Sequence, residues 1–194
     1  MKNIALIIVL ISFGTGLFAQ ENATQPDGEK SAKKERKEER DAIRTRQFNE
    51  MTALINSRQF VLEAGYIINH NGSKLSVSSS LNFIMVDSAQ AVIQSGSNSG
   101  MGLNDVGGVT ASGNITSWKV VRNEKQRTIS LEMGVSTNLG LFNMSVYIPA
   151  TGNATAHIRG NFKSTSADFV GPLIPLAKSS VYQGRSRYVV PGLN

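Results

Sequence analysis

A glycine-rich segment, residues 95–118, is the part of the chain whose composition most resembles a ligand-binding loop. A phosphate-binding P-loop ends in Gly-Lys-Ser/Thr so that the lysine reaches the phosphates, but this segment contains no lysine. A dinucleotide fingerprint needs three glycines at fixed spacing between a parallel strand and a helix. Here Gly100 and Gly102 are followed by Gly107, which lies too far along the chain. The segment therefore predicts a long connection between strands rather than a phosphate cradle.

The same segment could act as a lid over an opening in a sheet, because glycine allows backbone angles that other residues avoid. A connection of this length is also unusual between antiparallel strands. Trp118 is the sole tryptophan, and two roles fit it: packing in the core, or stacking on a ligand at a barrel mouth. The candidate ligand or lid region comprises Gly100, Gly102, Asp105, Gly107, Gly108 and Trp118.

Two histidines, His70 and His157, are the candidates for acid–base chemistry. His70 falls in the turn-like sequence Asn-His-Asn-Gly, and His157 falls on the polar face of a predicted strand. A hydrolase would need one of them within hydrogen-bond reach of a serine and a carboxylate. The chain has no cysteine, and Asp87, Asp105 and Asp168 are scattered, so it has few candidates for the ligands of a zinc site. We therefore expect no catalytic residues, no metal and no cofactor, with a Ser-His-Asp hydrolase as an alternative.

From residue 59 onward apolar residues recur at every second position, which is typical of strands that bury one face. The clearest runs are 129–135, 142–148 and 154–158. A first strand is expected to bury Phe60, Leu62, Ala64, Tyr66 and Ile68. Connections between the runs are short, which favours antiparallel hairpins, because parallel strands need long crossovers. We predict a mainly β domain over 58–187: an antiparallel curved sheet or a lipocalin-like, partly open barrel with one N-terminal α-helix.

A charged helix is predicted over residues 31–57, which are rich in Glu, Lys, Arg and Ala. Its first half has no apolar face and is expected to be solvated, with contact to a partner as the alternative. Phe48, Met51 and Ile55 recur near the helical period and indicate that the last turns dock on the β domain. Residues 20–30 are polar and predict a disordered tether.

The first 19 residues have the layout of a secretory signal peptide: Lys2, then an apolar stretch from Ile4 to about Leu17, then Ala19 at the cleavage position. The apolar stretch is short for a membrane span, which needs about 20 residues. We therefore expect cleavage after Ala19 and no stable membrane span afterwards. Because the chain has no cysteine, it is not a lipoprotein. The sequence predicts an exported protein that is periplasmic or associated with the outer envelope.

The formal net charge is +6, from 20 basic and 14 acidic residues. The basic excess is spread along the chain rather than concentrated in a stripe, and nucleic-acid binding needs a clustered basic face. We therefore expect no nucleic-acid partner. An envelope protein or a small apolar ligand is the expected kind of partner. Residues 188–194 form the expected C-terminal tail.

Several segments follow one another in an order that resembles a known family: "INSRQFVLEAGYI", "SLNFIMVDSAQAVIQSG", "GNITSWKVVRNEKQRTISLEM", "NMSVYIPATGNATAHIRG" and "SVYQGRS". Over residues 40–187 the chain is similar to the exported Bacteroidetes family called domain of unknown function 4251. The family carries a tyrosine in an "LP-Y-G" stretch where this chain has "VIQSGSNSG", so the role of that aromatic does not transfer. The resemblance implies a periplasmic or outer-envelope setting and no assigned activity. Proteins of this phylum are often O-glycosylated at Asp-Ser/Thr followed by an apolar residue, and Asp87-Ser88-Ala89 fits that pattern, which makes Ser88 a candidate.

The expected function is that of an exported envelope protein of unknown activity, a non-enzymatic binding or structural module. A binder of a small lipophilic ligand inside a β-barrel is the first alternative. It predicts an internal pocket lined by Phe83, Met133, Phe142 and Met144. A hydrolase is the second alternative.

Overall fold

The computed structural model of the protein describes residues 26–97, 106–160 and 166–184. Helix α1 spans Pro26–Ser57 and begins earlier than the predicted start at residue 31. The first turn of a helix tolerates proline, whose missing N–H has no partner there in any case. Residues 26–37 belong to a compact unit of their own, and their side chains are exposed from residue 30 on. Within the described ranges, no helix combines the length and the apolar character needed to cross a membrane.

Ten strands follow the helix, and all described pairings between them are antiparallel. They are β1 (Gln59–Glu63), β2 (Tyr66–Asn69), β3 (Lys74–Ser76), β4 (Phe83–Asp87), β5 (Gln90–Ser95), β6 (Val109–Asn123), β7 (Thr128–Thr137), β8 (Gly140–Pro149), β9 (Asn153–Gly160) and β10 (Ser166–Pro175). A short 3-10 helix, η1 (Leu176–Lys178), follows β10.

Eight of these strands close into a barrel. They pair in the order β1-β4-β5-β6-β7-β8-β9-β10, and β10 pairs back onto β1. Closure removes the unpaired edges that an open sheet would leave. The hairpin of β2 and β3 continues from β10 outside this ring. The predicted mainly β, antiparallel fold with one N-terminal helix is confirmed, and its ring of eight strands is closed.

The passage from β1 to β2 contains a bulge relative to β10. Leu62 faces Leu173, whereas Tyr66 faces Val170, so the first strand has one residue more than its partner over this stretch. An extra residue bends the strand and reverses the alternation of its faces. The prediction that Tyr66 continues the buried face of Leu62 is therefore wrong. Tyr66 is 43% exposed, and Ile67 packs against the core instead.

One apolar cluster lies in the barrel interior. Its buried members are Phe48, Ile55, Phe60, Leu62, Ala64, Ile84, Val86, Ala91, Ile93, Ala111, Ile129, Leu131, Met133, Val135, Met144, Val146, Ile148, Ala154, Ala156, Ile158, Phe169 and Leu173. Met133 and Met144, which were expected to line an internal pocket, are 3% and 2% exposed within this cluster. Phe142 packs against the same cluster. The inward-facing side chains of the described strands thus pack on one another.

The last turns of α1 pack on one end of the barrel. Phe48 and Ile55 of the helix are buried in the interior cluster. Asp41 forms a salt bridge of 3.5 Å with Arg127, which lies in the turn between β6 and β7. The helix therefore docks through the apolar residues whose spacing indicated docking, with an ion pair at its edge.

Candidate functional site

The glycine-rich connection between β5 and β6 is described only at its two ends. Three of its candidate residues, Gly100, Gly102 and Asp105, lie outside the described residues. The Ser97 N–H donates to the Val106 carbonyl oxygen at 2.9 Å, which joins the two ends as in a hairpin. Gly107 has a φ of 77°, and a Cβ atom on Gly108 would lie 1.9 Å from the Ser95 carbonyl oxygen. Both glycines therefore serve the backbone geometry of the hairpin.

Trp118 lies far from these glycines. It is separated from them by most of the length of β6, about 30 Å at the usual rise per residue. The Trp118 ring centroid is 6.3 Å from that of Phe60, and the Arg58 guanidinium lies 4.7 Å from the Trp118 centroid. The structure thus does not bring Trp118 together with Gly107 and Gly108. Of the two roles expected for this tryptophan, its contacts fit packing against the core.

A row of Ser, His and Asp crosses three strands on the outer face of the barrel. His157 of β9 is the cross-strand partner of Asp168 in β10, and its Nδ1 is hydrogen bonded to the Asp168 carboxylate. Ser145 of β8 is the cross-strand partner of His157 on its other side. The Nε2 atom of His157 accepts a hydrogen bond of 3.1 Å from the Nε–H of Arg159. The imidazole is therefore held between a carboxylate and a guanidinium.

The contacts of His157 in this row differ from those that serine hydrolysis needs. The histidine must accept the serine proton, but the acceptor nitrogen of His157 is bonded to Arg159. An oxyanion hole needs unpaired N–H donors, whereas the backbone here lies within paired strands. The other histidine, His70, is exposed in the turn after β2. Over the described ranges, no group of three or more potential metal ligands converges.

The outer face of β1, β4 and β5 is apolar and buried. Val61, Phe83 and Val92 point away from the barrel interior and are 0%, 0% and 6% exposed. The expectation that Phe83 lines an internal pocket is therefore wrong. It alternates along β4 with Ile84 and Val86, and these two side chains occupy the interior.

A segment that follows β10, residues 176–184, covers these outer side chains; we call it the strap. Leu176 and Val181 pack on the apolar cluster of Val61, Phe83 and Val92. Two further hydrogen bonds hold the strap: the Ser179 hydroxyl donates to Glu63 Oε1 at 2.8 Å, and the Tyr182 N–H donates to the Ser80 carbonyl at 2.9 Å. The strap is therefore attached by apolar burial and by directional bonds.

A buried glutamine fixes the end of the strap. Gln94 of β5 is 0% exposed. Its Nε2 donates to the carbonyl oxygens of Leu81 at 3.1 Å and Tyr182 at 2.8 Å. Its Oε1 accepts from the Thr110 hydroxyl at 2.9 Å and from the Gly184 N–H at 2.7 Å. All four hydrogen-bonding positions of the amide are used, two by the barrel and two by the strap.

An open pocket of about 240 Å³ continues from the end of the strap. Its lining residues are Met85, Asp87, Gln90, Ala91, Val92, Ser112, Gly113 and Gln183. Asp87 accepts from the Gln59 amide at 3.4 Å and from the Ser88 hydroxyl at 3.1 Å, in both cases through Oδ1. We call the strap-covered face of Val61, Phe83 and Val92, together with this pocket, the outer groove. It has an apolar floor and a carboxylate at its open end.

Ser88, the candidate O-glycosylation residue, lies in the two-residue turn between β4 and β5 and is exposed. Its φ is 58°, and its N–H donates to the Arg58 carbonyl at 2.8 Å. Its hydroxyl donates to Asp87 at the rim of the outer groove. The turn position agrees with the expected setting, and the modification itself stays a prediction.

The outer groove was not among the predicted sites, although the sequence contains a signal for it. The segments 60–62, 83–86 and 91–93 are unbroken apolar runs rather than alternating ones. A strand that is apolar at consecutive positions is buried on both faces. The three runs belong to β1, β4 and β5, which are the strands that the strap covers.

The structure defines a class: a closed, eight-stranded antiparallel barrel with a docked helix and a groove on its outer face. A model of the family described as Domain of unknown function (DUF4251) matches residues 43–173, so the chain belongs to this family. A crystal structure of a DUF4251 family protein from Bacteroides eggerthii DSM 20697 is similar, with a TM-score of 0.56 and 28% sequence identity. That similarity covers 69% of this chain and 90% of the other. No curated protein matches the chain.

Proposed function

We propose that this protein is an exported, non-enzymatic binding module of the cell envelope and that its ligand docks in the outer groove. The observation that carries the proposal is the groove itself: buried apolar side chains on the outside of a closed barrel, with an open pocket beside them. Apolar surface lined with a few polar groups is the usual character of a binding site. The strap covers the apolar side chains and leaves the adjoining pocket open.

The contacts of His157 support the non-enzymatic part of the proposal. The Nε2 atom, which would have to accept the proton of Ser145 in a hydrolase, accepts a hydrogen bond from Arg159. A fluorophosphonate probe, which labels activated serines, should leave the full chain unlabelled. Labelling that disappears in both Ser145→Ala and His157→Ala would establish the hydrolase alternative instead.

The packing of the interior supports binding on the outside rather than inside the barrel. Met133 and Met144, the side chains expected to line an internal pocket, are buried in the interior apolar cluster. A fluorescent fatty acid should therefore show no saturable binding to the folded chain. Saturable binding that is abolished by Val135→Trp, which would fill the interior further, would favour the lipophilic alternative.

The binding function can be tested by photo-crosslinking in intact cells. A benzophenone amino acid replaces Ser112, which lines the outer groove, or Ser130, which lines a shallow pocket of about 200 Å³ on β7 and β8. Both positions lie on the outer face, so Ser130 is a matched control. The proposal expects an adduct at Ser112 and none at Ser130. No adduct at Ser112, or equal adducts at both positions, would contradict it.

Export is tested separately by the mass of the mature protein. The signal-peptide layout of residues 1–19 supports a mature chain that begins at Gln20. Mass spectrometry of the protein isolated from the periplasmic or outer-envelope fraction should give that N-terminus. A chain that keeps Met1 and stays with the cytoplasmic fraction would overturn this part of the proposal.

A further inference from the structure

The strap shows which chemistry the outer groove accepts. Three main-chain groups of the strap are hydrogen bonded to residues outside it: the Tyr182 N–H to Ser80, the Tyr182 carbonyl to Gln94, and the Gly184 N–H to Gln94. Every extended peptide carries the same groups, whatever its side chains. The buried Gln94 amide thus binds main-chain groups of a peptide, as a sheet edge does in strand addition.

Only some side chains of the strap contact the groove. Val181 packs on the apolar floor, whereas Tyr182 is 63% exposed and Gln183 is also exposed. Gly184 is buried where its N–H meets Gln94. The strap therefore presents to the groove an apolar residue, two exposed residues, and then a buried glycine.

The open end of the outer groove adds a third requirement. The pocket lies next to Gln183, and the Asp87 carboxylate is on its lining. Both hydrogen bonds that Asp87 accepts from Gln59 and Ser88 use Oδ1. A side chain with several N–H donors at the position of Gln183, which lines the same pocket, complements this carboxylate.

We propose that the outer groove is a peptide-binding site for an extended segment of another envelope protein, and that the strap is a built-in occupant that this segment displaces. The segment has the pattern apolar residue, variable residue, residue with N–H donors, glycine. This inference rests on the proposed function, since it names the ligand class of the same groove.

Because the strap belongs to the same chain as the groove, an outside peptide must compete with it for the groove. A tethered segment competes with an effective concentration in the millimolar range, so the intact protein binds a matching peptide weakly. The apparent affinity for an outside peptide is reduced by the fraction of molecules whose groove is open. A change that weakens the strap but leaves the groove intact must therefore strengthen peptide binding by the same factor. The affinity of an extended peptide that lacks the strap pattern should not increase in this way.

The test measures binding of a fluorescein-labelled peptide with the sequence of residues 179–185, SSVYQGR, to the full chain by fluorescence anisotropy. Val181→Ser removes one of the two apolar contacts that the strap makes with the floor of the groove. We expect this variant to bind the peptide about tenfold more tightly than the unaltered chain. Tyr182→Pro, which removes the N–H donated to Ser80, is a second strap variant and should act in the same direction.

Matched peptides and groove variants make the result specific. A peptide with serine in place of valine, SSSYQGR, should bind at least tenfold less tightly to Val181→Ser. Asp87→Asn should weaken SSVYQGR but leave SSVYSGR unchanged, because only the glutamine side chain at the position of Gln183 extends into the pocket that Asp87 lines. Circular dichroism of each variant verifies that the barrel is folded.

Two results would overturn the inference. One is equal affinity of SSVYQGR and SSSYQGR for both strap variants, which would show that the floor does not select the peptide. The other is dimerisation of the unaltered chain with rising concentration in light scattering, lost in Val181→Ser, which would show exchange of straps between copies. If the peptides fail while crosslinking at Ser112 succeeds, the binding function stands and only the peptide class is refuted.

Discussion

Replacement of Gln94 by methionine should release the strap, because the amide supplies two of its hydrogen bonds. Methionine keeps the length of the side chain but cannot donate to Tyr182 or accept from the Gly184 N–H, which are 2.8 and 2.7 Å away in the native structure. Each neutral hydrogen bond contributes about 0.5–1.5 kcal/mol. Loss of both should weaken closure of the strap by about 1–3 kcal/mol, which raises its open fraction about five- to 150-fold.

Trypsin reports this opening directly. Lys178 is exposed at the start of the strap, and cleavage after it requires the neighbouring residues to leave the barrel surface. When opening and closing are fast, the cleavage rate follows the population of the open form. The appearance of a fragment that ends at Lys178, followed by mass spectrometry, should therefore accelerate by the same factor in Gln94→Met.

Gln59→Met is the matched control, because Gln59 is exposed and its amide makes one long bond of 3.4 Å to Asp87. It should leave cleavage at Lys178 unchanged. Gln94 also bonds Leu81 and Thr110 of the barrel, so thermal unfolding must show that the variant is folded at the assay temperature. An unchanged cleavage rate in a folded Gln94→Met chain would refute the reasoning.

Three further predictions concern the barrel and its helix. Gly171→Ala places a Cβ atom 1.8 Å from the Glu63 carbonyl oxygen and should lower the free energy of unfolding, measured in urea, by about 1–3 kcal/mol or more. Gly65→Ala, with open space around the added methyl group, should change that free energy by less than about 1 kcal/mol. Equal effects of the two alanines would argue against the bulge geometry. Phe48→Ala should cost about 3–5 kcal/mol in urea unfolding, because this side chain is 3% exposed in the core, and a loss below about 1 kcal/mol would mean that the helix is not docked. Asp41→Asn should cost less than about 1 kcal/mol by the same measurement, since its ion pair with Arg127 is partly solvated, and a larger loss would contradict this estimate.

The barrel could be predicted largely from alternation. In β7, β8 and β9 the inward residues are those that the two-residue period assigns to the buried face. Each of these strands has one face on the core and one in solvent, so local polarity reports position directly. The alternation failed after Ala64, because a bulge shifts the faces and the sequence does not mark it beyond Gly65.

The outer groove could not be predicted by the same argument. Phe83 is apolar and belongs to a strand, which is equally compatible with the inside of the barrel and with a covered outer face. Which of the two applies depends on the strap, whose residues are distant in sequence from β4. The burial of Gln94 could not be predicted from its polarity, since a glutamine in a strand is ordinarily exposed. Its burial becomes clear only when its four partners are brought together by the fold.

The central claim is that the strap covers the outer groove and opens without unfolding the barrel. Amide hydrogen exchange resolved by mass spectrometry tests it most directly, because regions that open locally exchange at lower free energy than the global core. The account predicts that the amides of Tyr182 and Gly184 exchange well before those of β7, and that peptide SSVYQGR accelerates their exchange. Exchange of the strap and β7 at one common rate, with or without the peptide, would contradict it.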